Sequence, residues 1–266
     1  MLLSVVQNDP RYGEKKENIQ QCLSMMETVR ADLYVLPELF ATGYNFIDKD
    51  EVHALAETYD NGITFTELEK YCRKKRCFVI FGFAEREGEK LYNSAALLGF
   101  NGIKGLYRKV HLFDREKLFF EPGNLGFQVF DVPFGKVGLM ICFDWYFPES
   151  ARTLALMGAQ LIAHPSNLVL PNCPDSMPTR SLENRVYTAT ANRVGTEDRG
   201  GHSLTFIGKS QITTPYGKIL CRLAEKKAEV AVEEIDLSLA VDKKLAGMNN
   251  LFKDRRPDMY ILNTLK

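Results

Sequence analysis

The 266-residue chain has no surplus of either charge: Lys plus Arg and Asp plus Glu both number 34, for a formal net charge of zero. No basic cluster argues for nucleic acid, and no polybasic tail argues for an anionic membrane. No apolar run reaches the ~18 residues that a membrane helix needs. The opening Met1-Leu2-Leu3-Ser4-Val5-Val6-Gln7 is too short for a secretory core and lacks a basic flank, so no targeting signal is expected. Cys22, Cys72, Cys77, Cys142, Cys173 and Cys221 show no C-x-x-C spacing, and no Cys/His group has the spacing of zinc ligands. Gly99-Phe100-Asn101-Gly102 is a turn, not a phosphate loop. These absences predict reduced thiols in the cytoplasm, and chemistry without a metal or an organic cofactor.

What is present is ordinary globular composition, 45% apolar and 26% charged. There is no linker, low-complexity tract or internal repeat. Strand-like and helix-like segments alternate from end to end, which predicts one α/β domain over residues 1–266. Strands are expected at 2–7, 33–36, 77–84, 91–99, 103–108, 137–141 and 160–163, then near 187–194, 203–213, 217–223 and 228–236. Helices are expected at 14–30, about 50–58, 64–75, from Pro148 onward, near 179–186 and over 237–246. A loop rich in Pro and Asn, 164–178, lies between, and 166–178 is a candidate lid or specificity loop. Residues 249–266 show no period and are expected to cross another surface, that of a partner subunit.

Three reactive residues follow three of these strands. Glu38 comes just after 33–36, Lys109 just after 103–108 and Cys142 just after 137–141. Ligands of α/β sheets bind beyond the carboxyl ends of strands, so the three could meet on one rim. A thiol at a strand end, six residues before a helix-opening Pro148, suits a nucleophile. On the segment alone, a buried core cysteine is an equally good reading. The usual histidine base is not evident: His53, His111, His164 and His202 lie in unrelated contexts. Glu38, inside Leu-Pro-Glu-Leu-Phe, is a charge in an apolar run, and burial would raise its pKa into the range of a base. Its alternative is an exposed loop acid, and for Lys109, in a mixed basic run, it is plain surface charge.

Several segments carry a resemblance. They are Leu-Pro-Glu-Leu-Phe with Thr-Gly-Tyr (36–44), Tyr-Arg-Lys-Val-His-Leu-Phe (107–113), Arg-Glu-Lys-Leu-Phe-Phe-Glu-Pro-Gly (115–123) and Ile-Cys-Phe-Asp-Trp-Tyr-Phe-Pro-Glu (141–149). Leu-Glu-Asn-Arg (182–185) and Ala191-Asn192-Arg193 complete the set. In order and spacing they resemble the nitrilase superfamily of carbon–nitrogen hydrolases, over nearly the whole chain. The resemblance implies a four-layer α-β-β-α sandwich and a Glu-Lys-Cys triad, here Glu38, Lys109 and Cys142. It also implies a second glutamate, for which Glu116 is preferred over its rival Glu121, because the Pro-Gly after Glu121 matches a stretch used structurally. In the chemistry it implies, Glu38 is the base, and Lys109 with the Phe143 N–H receives the oxyanion. Glu116 orients the substrate nitrogen or Lys109.

Phe143, Trp145, Tyr44, Phe113, Tyr146 and Asn167 are candidates for the substrate wall, with core packing as the alternative for each aromatic. Tyr146 stands where many amidase-type relatives carry Arg. The His-Pro-Ser-Asn-Leu stretch (164–168) departs from a frequent Pro-x-Asn-Trp pattern. The resemblance further implies a homodimer or larger assembly through helices near 150–158 and 180–186. The leading expectation is hydrolysis of a small amide or carbamoyl compound. A nitrile substrate, acyl transfer to an amine, or binding without catalysis are the alternatives.

Overall fold

A computed structural model describes residues 1–102 and 104–260. Ile103, expected to open a strand, and the last six residues of the expected interface tail lie outside the described residues. In chain order the main elements begin β1 (Leu2–Gln7), α1 (Lys15–Glu27), β2 (Leu33–Val35), α2 (Lys49–Leu55), α3 (Ile63–Lys75), β3 (Phe78–Glu87), β4 (Lys90–Gly99), β5 (Lys104–Arg108) and α4 (Glu116–Phe119). They continue with β6 (Gln128–Val132), β7 (Gly135–Leu139), α5 (Pro148–Leu156), β8 (Leu161–Pro165), α6 (Cys173–Asn184) and β9 (Tyr187–Ala191). The last are β10 (Thr196–Arg199), β11 (His202–Thr205), β12 (Gln211–Thr213), β13 (Ile219–Arg222), β14 (Glu229–Glu234), β15 (Lys244–Ala246) and β16 (Asn249–Asn250).

Two six-stranded sheets run in the orders β14-β1-β2-β3-β4-β5 and β13-β12-β9-β8-β7-β6. Each has a parallel centre, β1-β2-β3 in one and β7-β8-β9 in the other, with antiparallel strands outside it. The centres are covered on both faces, so β2 and the first residues of β3 and β8 read as continuous apolar runs rather than as alternations. The pleat still sorts the side chains. Phe78 and Ile80 face the second sheet beside Leu33 and Val35, whereas Val79 and Phe81 join Tyr34 under α1 and α3. Leu139, Leu161 and Ala189 meet the first sheet from the other side, and Leu154 and Met177 of α5 and α6 close the last layer. The architecture is the expected α-β-β-α sandwich.

Several boundaries differ from expectation. The loop 164–178 is only partly a loop, because α6 begins at Cys173. Pro178 would be expected to interrupt it, since a proline cannot donate to the carbonyl four residues back. That carbonyl belongs to Pro174, and it accepts instead from Gln211 Nε2 and Arg222 Nη2, both at 2.8 Å. The expected strand 203–213 is two strands: β11 pairs with β10 in a separate hairpin, and the chain turns at Gly208 (φ +59) before β12. The expected helix 237–246 is a single 3-10 turn, Leu237–Ala240, followed by β15. Only Leu237 and Ala240 are buried there, and that spacing of three is the period of a 3-10 turn. Edge strand β6 was not expected.

Candidate active site

Each of the three reactive residues leaves the end of a strand, as the rim argument requires. After β2 the chain passes Leu36-Pro37 and turns sharply at Glu38-Leu39, where Leu39 has φ +49. Gly82 of β3 lies against this turn, with its N–H on the Pro37 carbonyl at 3.1 Å; a Cβ there would collide with the Glu38 backbone. Lys109 follows β5 directly. Its N–H bonds the Asn93 carbonyl at 2.8 Å, and its own carbonyl receives Gly123 N–H at 2.8 Å. A Cβ on Gly123 would strike the Arg108 carbonyl, so the Glu-Pro-Gly stretch closes tightly on this strand, and Glu121 itself is exposed.

Glu38, Lys109 and Glu116 form one buried cluster. The Lys109 ammonium, 1% exposed, donates to Glu38 Oε1 and to Glu116 Oε1, both at 2.7 Å. Asn93 Nδ2 donates to Glu38 Oε1 at 2.6 Å, whereas Glu38 Oε2 is buried without a partner. The Tyr44 hydroxyl donates to Glu116 Oε1 at 2.6 Å. Tyr44 is held from behind: its N–H (3.1 Å) and that of Asn45 (2.7 Å) reach the Glu197 carboxylate, which forms a buried ion pair with Arg193.

Cys142 opens a 3-10 turn, Cys142–Tyr146, in the left-handed region at φ +40. A non-glycine residue in that region is unusual and aims the side chain away from the strand direction. Asp144 fixes the turn. Its Oδ2 accepts from Tyr107 Oη (2.7 Å) and Ile141 N (2.9 Å), and its Oδ1 accepts the His111 N–H at 3.1 Å and lies 2.8 Å from His111 Nδ1. His164 fixes it from below, with Nε2 2.9 Å from the Cys142 carbonyl and Nδ1 3.0 Å from Thr190 Oγ1. A carbonyl can only accept, so Nε2 carries the proton and Nδ1 receives the Thr190 hydroxyl. Burial pushes the His164 pKa down to about 4, which keeps the ring neutral.

The electrostatics follow from burial among opposed charges. Desolvation, reinforced by the Glu116 carboxylate and opposed by Lys109, pushes the Glu38 pKa up to about 7. Burial alone would lower the Lys109 pKa, but the charges of Glu116 and Glu38 outweigh it and hold the ammonium protonated. Burial and then the Glu38 charge raise the Cys142 thiol well above its ordinary value against the pull of Lys109, so at rest it holds its proton. The cluster therefore offers a protonated thiol, a carboxylate able to take its proton, and a fixed cation. No group of acidic, His and Cys side chains among the described residues could hold a metal ion.

The wall candidates divide. Cys142, Phe113, Phe143, Trp145 and Asn167 line a small recess. Tyr44, Glu116, Arg115 and His202 line a second one, which shares Phe113 with the first. Tyr146 lines neither; it is 56% exposed and stands outside Phe143, ring centroids 5.7 Å apart. The two lie one 3-10 turn apart, so their rings share a face and only Phe143 is beside the thiol. Sequence reasoning missed Asn93, Tyr107, Glu197 and the pinning roles of Asp144 and His164. The Asn93-Ser94 pair in the apolar run of β4 was the one available signal, since polar residues at core positions are seldom idle.

Over residues 2–244 the chain matches the family model described as carbon–nitrogen hydrolase. It is 51% identical to a protein named nitrilase from Pyrococcus abyssi, over 97% of this chain and 98% of that one. It is 32% identical to an N-carbamoylputrescine amidase from Arabidopsis thaliana, over 86% and 83% of the two chains. Among solved structures it resembles an amidase from Nesterenkonia sp., with a TM-score of 0.79 at 25% identity and coverage of 97% and 94%. A variant of the amidase from Nesterenkonia sp. AN1 carries the acetamide moiety of fluoroacetamide covalently at its active-site cysteine.

Proposed function

The chain belongs to the carbon–nitrogen hydrolase family of the nitrilase superfamily, and from that premise we propose that it is a thiol amidase in which Cys142, Glu38, Lys109 and Glu116 hydrolyse a small amide or carbamoyl compound. The observation that carries this reading is the buried Lys109 ammonium, shared at 2.7 Å by Glu38 and Glu116 on the rim where Cys142 turns.

The roles follow from protonation and position. Glu38, through the unpartnered Oε2, takes the thiol proton as Sγ attacks the carbonyl carbon. The carbonyl π pair moves to oxygen, where Lys109 Nζ and the Phe143 N–H receive it. Collapse of this intermediate breaks the C–N bond, and the proton on Glu38 goes to the departing nitrogen, which Glu116 orients. Water then gives a proton to Glu38 and its oxygen to the thioester carbon. The C–S bond breaks, the acid leaves and the thiol regains its proton.

A nitrile is the second reading, favoured by the 51% identity to a protein named nitrilase. The same thiol would add to the C≡N carbon to give a thioimidate, and Glu38 would supply its proton. Two waters then yield acid and ammonia.

Assembly as a homodimer through α5 and α6 belongs to this reading. Leu156 and Leu182 of these helices, and Met157 just after α5, are each more than two-fifths exposed. Light scattering is expected to give at least twice the 30.2 kDa chain mass, and a monomer would count against it. A cytoplasmic location fits six unbridged thiols and is checked by cell fractionation. No helix among the described residues is long and apolar enough to cross a membrane.

The test of the reaction is ammonia release from a panel of aliphatic amides, carbamoyl compounds and nitriles, run beside Cys142→Ala. Turnover that disappears in the variant is expected; turnover that survives contradicts the mechanism.

A further inference from the structure

The recess beside Cys142 has an unusual lining. Phe113, Phe143, Trp145, Leu168 and Leu170 make its walls apolar, and no charged side chain lines it. The Asn167 amide is the exception. It is 3% exposed, and neither Nδ2 nor Oδ1 has a hydrogen-bond partner. A buried amide left unpaired on both ends is costly, and it persists where another molecule completes it.

This amide is also held in place. Ser166 N–H bonds the Ala191 carbonyl at 2.8 Å, and Leu168 N–H bonds Asn192 Oδ1 at 2.8 Å, so the backbone on each side of Asn167 is tied to the end of β9. Asn167 lines the same recess as Cys142, which sets its side chain close to the reacting carbon. The enclosed part of the recess is small, so it admits only a short chain.

We propose that Asn167 is a specificity-determining residue whose side-chain amide hydrogen-bonds a hydroxyl on the short, uncharged acyl part of the substrate. A hydroxyl is the smallest group that answers both ends of the amide, since it accepts from Nδ2 and donates to Oδ1. The apolar walls take the carbon chain. A carboxylate or ammonium on the acyl part would meet no counter-charge there and would be rejected on desolvation. This inference rests on the proposed amidase chemistry and concerns what it acts on.

The test uses matched amides: lactamide against isobutyramide, and 3-hydroxypropionamide against butyramide. Each pair exchanges OH for CH3. A site built to bond a hydroxyl discriminates strongly against the analogue that lacks it. The wild-type protein should favour the hydroxylated member of at least one pair by 10-fold or more in kcat/KM. Asn167→Leu, which keeps the branch at Cγ but removes both polar ends, should cost the hydroxylated member at least 10-fold more than its partner, mainly through KM. Asn167→Ala repeats the comparison with a smaller change should the leucine variant fail to fold.

Binding is read separately as thermal stabilisation of Cys142→Ala by each amide, with the hydroxylated member stabilising more. Equal treatment of both pairs, a preference that survives both Asn167 variants, or neither turnover nor stabilisation with any of the four overturns the inference. Turnover that persists in Cys142→Ala overturns the proposed function instead, so the two failures are distinguishable.

Discussion

Replacing Glu38 with Gln changes charge and almost nothing else. A Gln carbonyl oxygen can accept from Asn93 Nδ2 and Lys109 Nζ as Glu38 Oε1 does, at 2.6 and 2.7 Å. The other end becomes an NH2 that cannot take a proton. General-base catalysis is typically worth 10²–10⁴-fold, so kcat/KM should fall by roughly that factor. In the wild type, kcat/KM should rise with pH through about 7 as Glu38 ionises. Stability should move the other way from activity. Burial lifts the Glu38 pKa from 4.5 to about 7, which corresponds to about 3 kcal/mol at pH 8. Because the folded value is raised, this stability is fully present below pH 4.5 and lost as pH rises through about 7. Gln does not titrate. The variant should therefore gain on the wild type by most of that 3 kcal/mol between pH 5 and pH 8, of order 5–10 °C in Tm. Thermal melts of both proteins at the two pH values, beside amide kinetics, read it. A melting difference that does not change with pH, or kcat/KM within threefold of wild type, would refute the assignment of Glu38 as a buried base.

Three further outcomes follow from the same geometry. Lys109→Met removes the oxyanion donor, for a loss of about 10²–10³ in kcat. It also strands two buried carboxylates, at a cost of about 3–5 kcal/mol on melting, and wild-type turnover in that variant would remove Lys109 from the scheme. Gly82→Ala drives a Cβ into the Glu38 backbone, so the turn must shift. A destabilisation of about 1–3 kcal/mol and a greater than 10-fold fall in kcat are expected, and unchanged kinetics would show that the turn tolerates movement. Asp144→Asn weakens the hold on Tyr107, His111 and the Ile141 N–H, and should cost about 1–3 kcal/mol by denaturant unfolding. It should also slow alkylation of Cys142, and an unaltered alkylation rate would mean the turn holds its shape without that carboxylate.

How much of this was legible depended on whether a signal was local. Glu38 stood out because a charge within Leu-Pro-Glu-Leu-Phe is itself an anomaly. Cys142 could be placed because it follows an apolar run that had to be a strand, whereas Lys109 sits in a mixed basic run and was singled out by the family resemblance. The two-sided burial of β2, β3 and β8 was likewise written as unbroken hydrophobicity. What could not be read was anything completed by a distant partner. Pro178 looks like a helix breaker until Gln211 and Arg222 supply donors to the Pro174 carbonyl. Glu197, a surface acid by sequence, is buried because Arg193 and two backbone N–H groups converge on it. Edge strand β6 escaped because its side chains are mostly only half-buried and Pro133 follows directly, so its pattern resembled a loop. Tyr146, a candidate for the wall, lines neither cavity, because the 3-10 turn sets its ring on the outer side of Phe143.

The most direct test is which thiol reacts. Cys22, Cys72, Cys77 and Cys173 are sealed in the core, and Cys221 is the most open of the six. Accessibility alone therefore sends an electrophile to Cys221. Peptide mapping by mass spectrometry after substoichiometric iodoacetamide separates the two cases. The account predicts the acetamide group on Cys142, with amide turnover lost in proportion to that label. Label on Cys221 with Cys142 left free and turnover intact would contradict it.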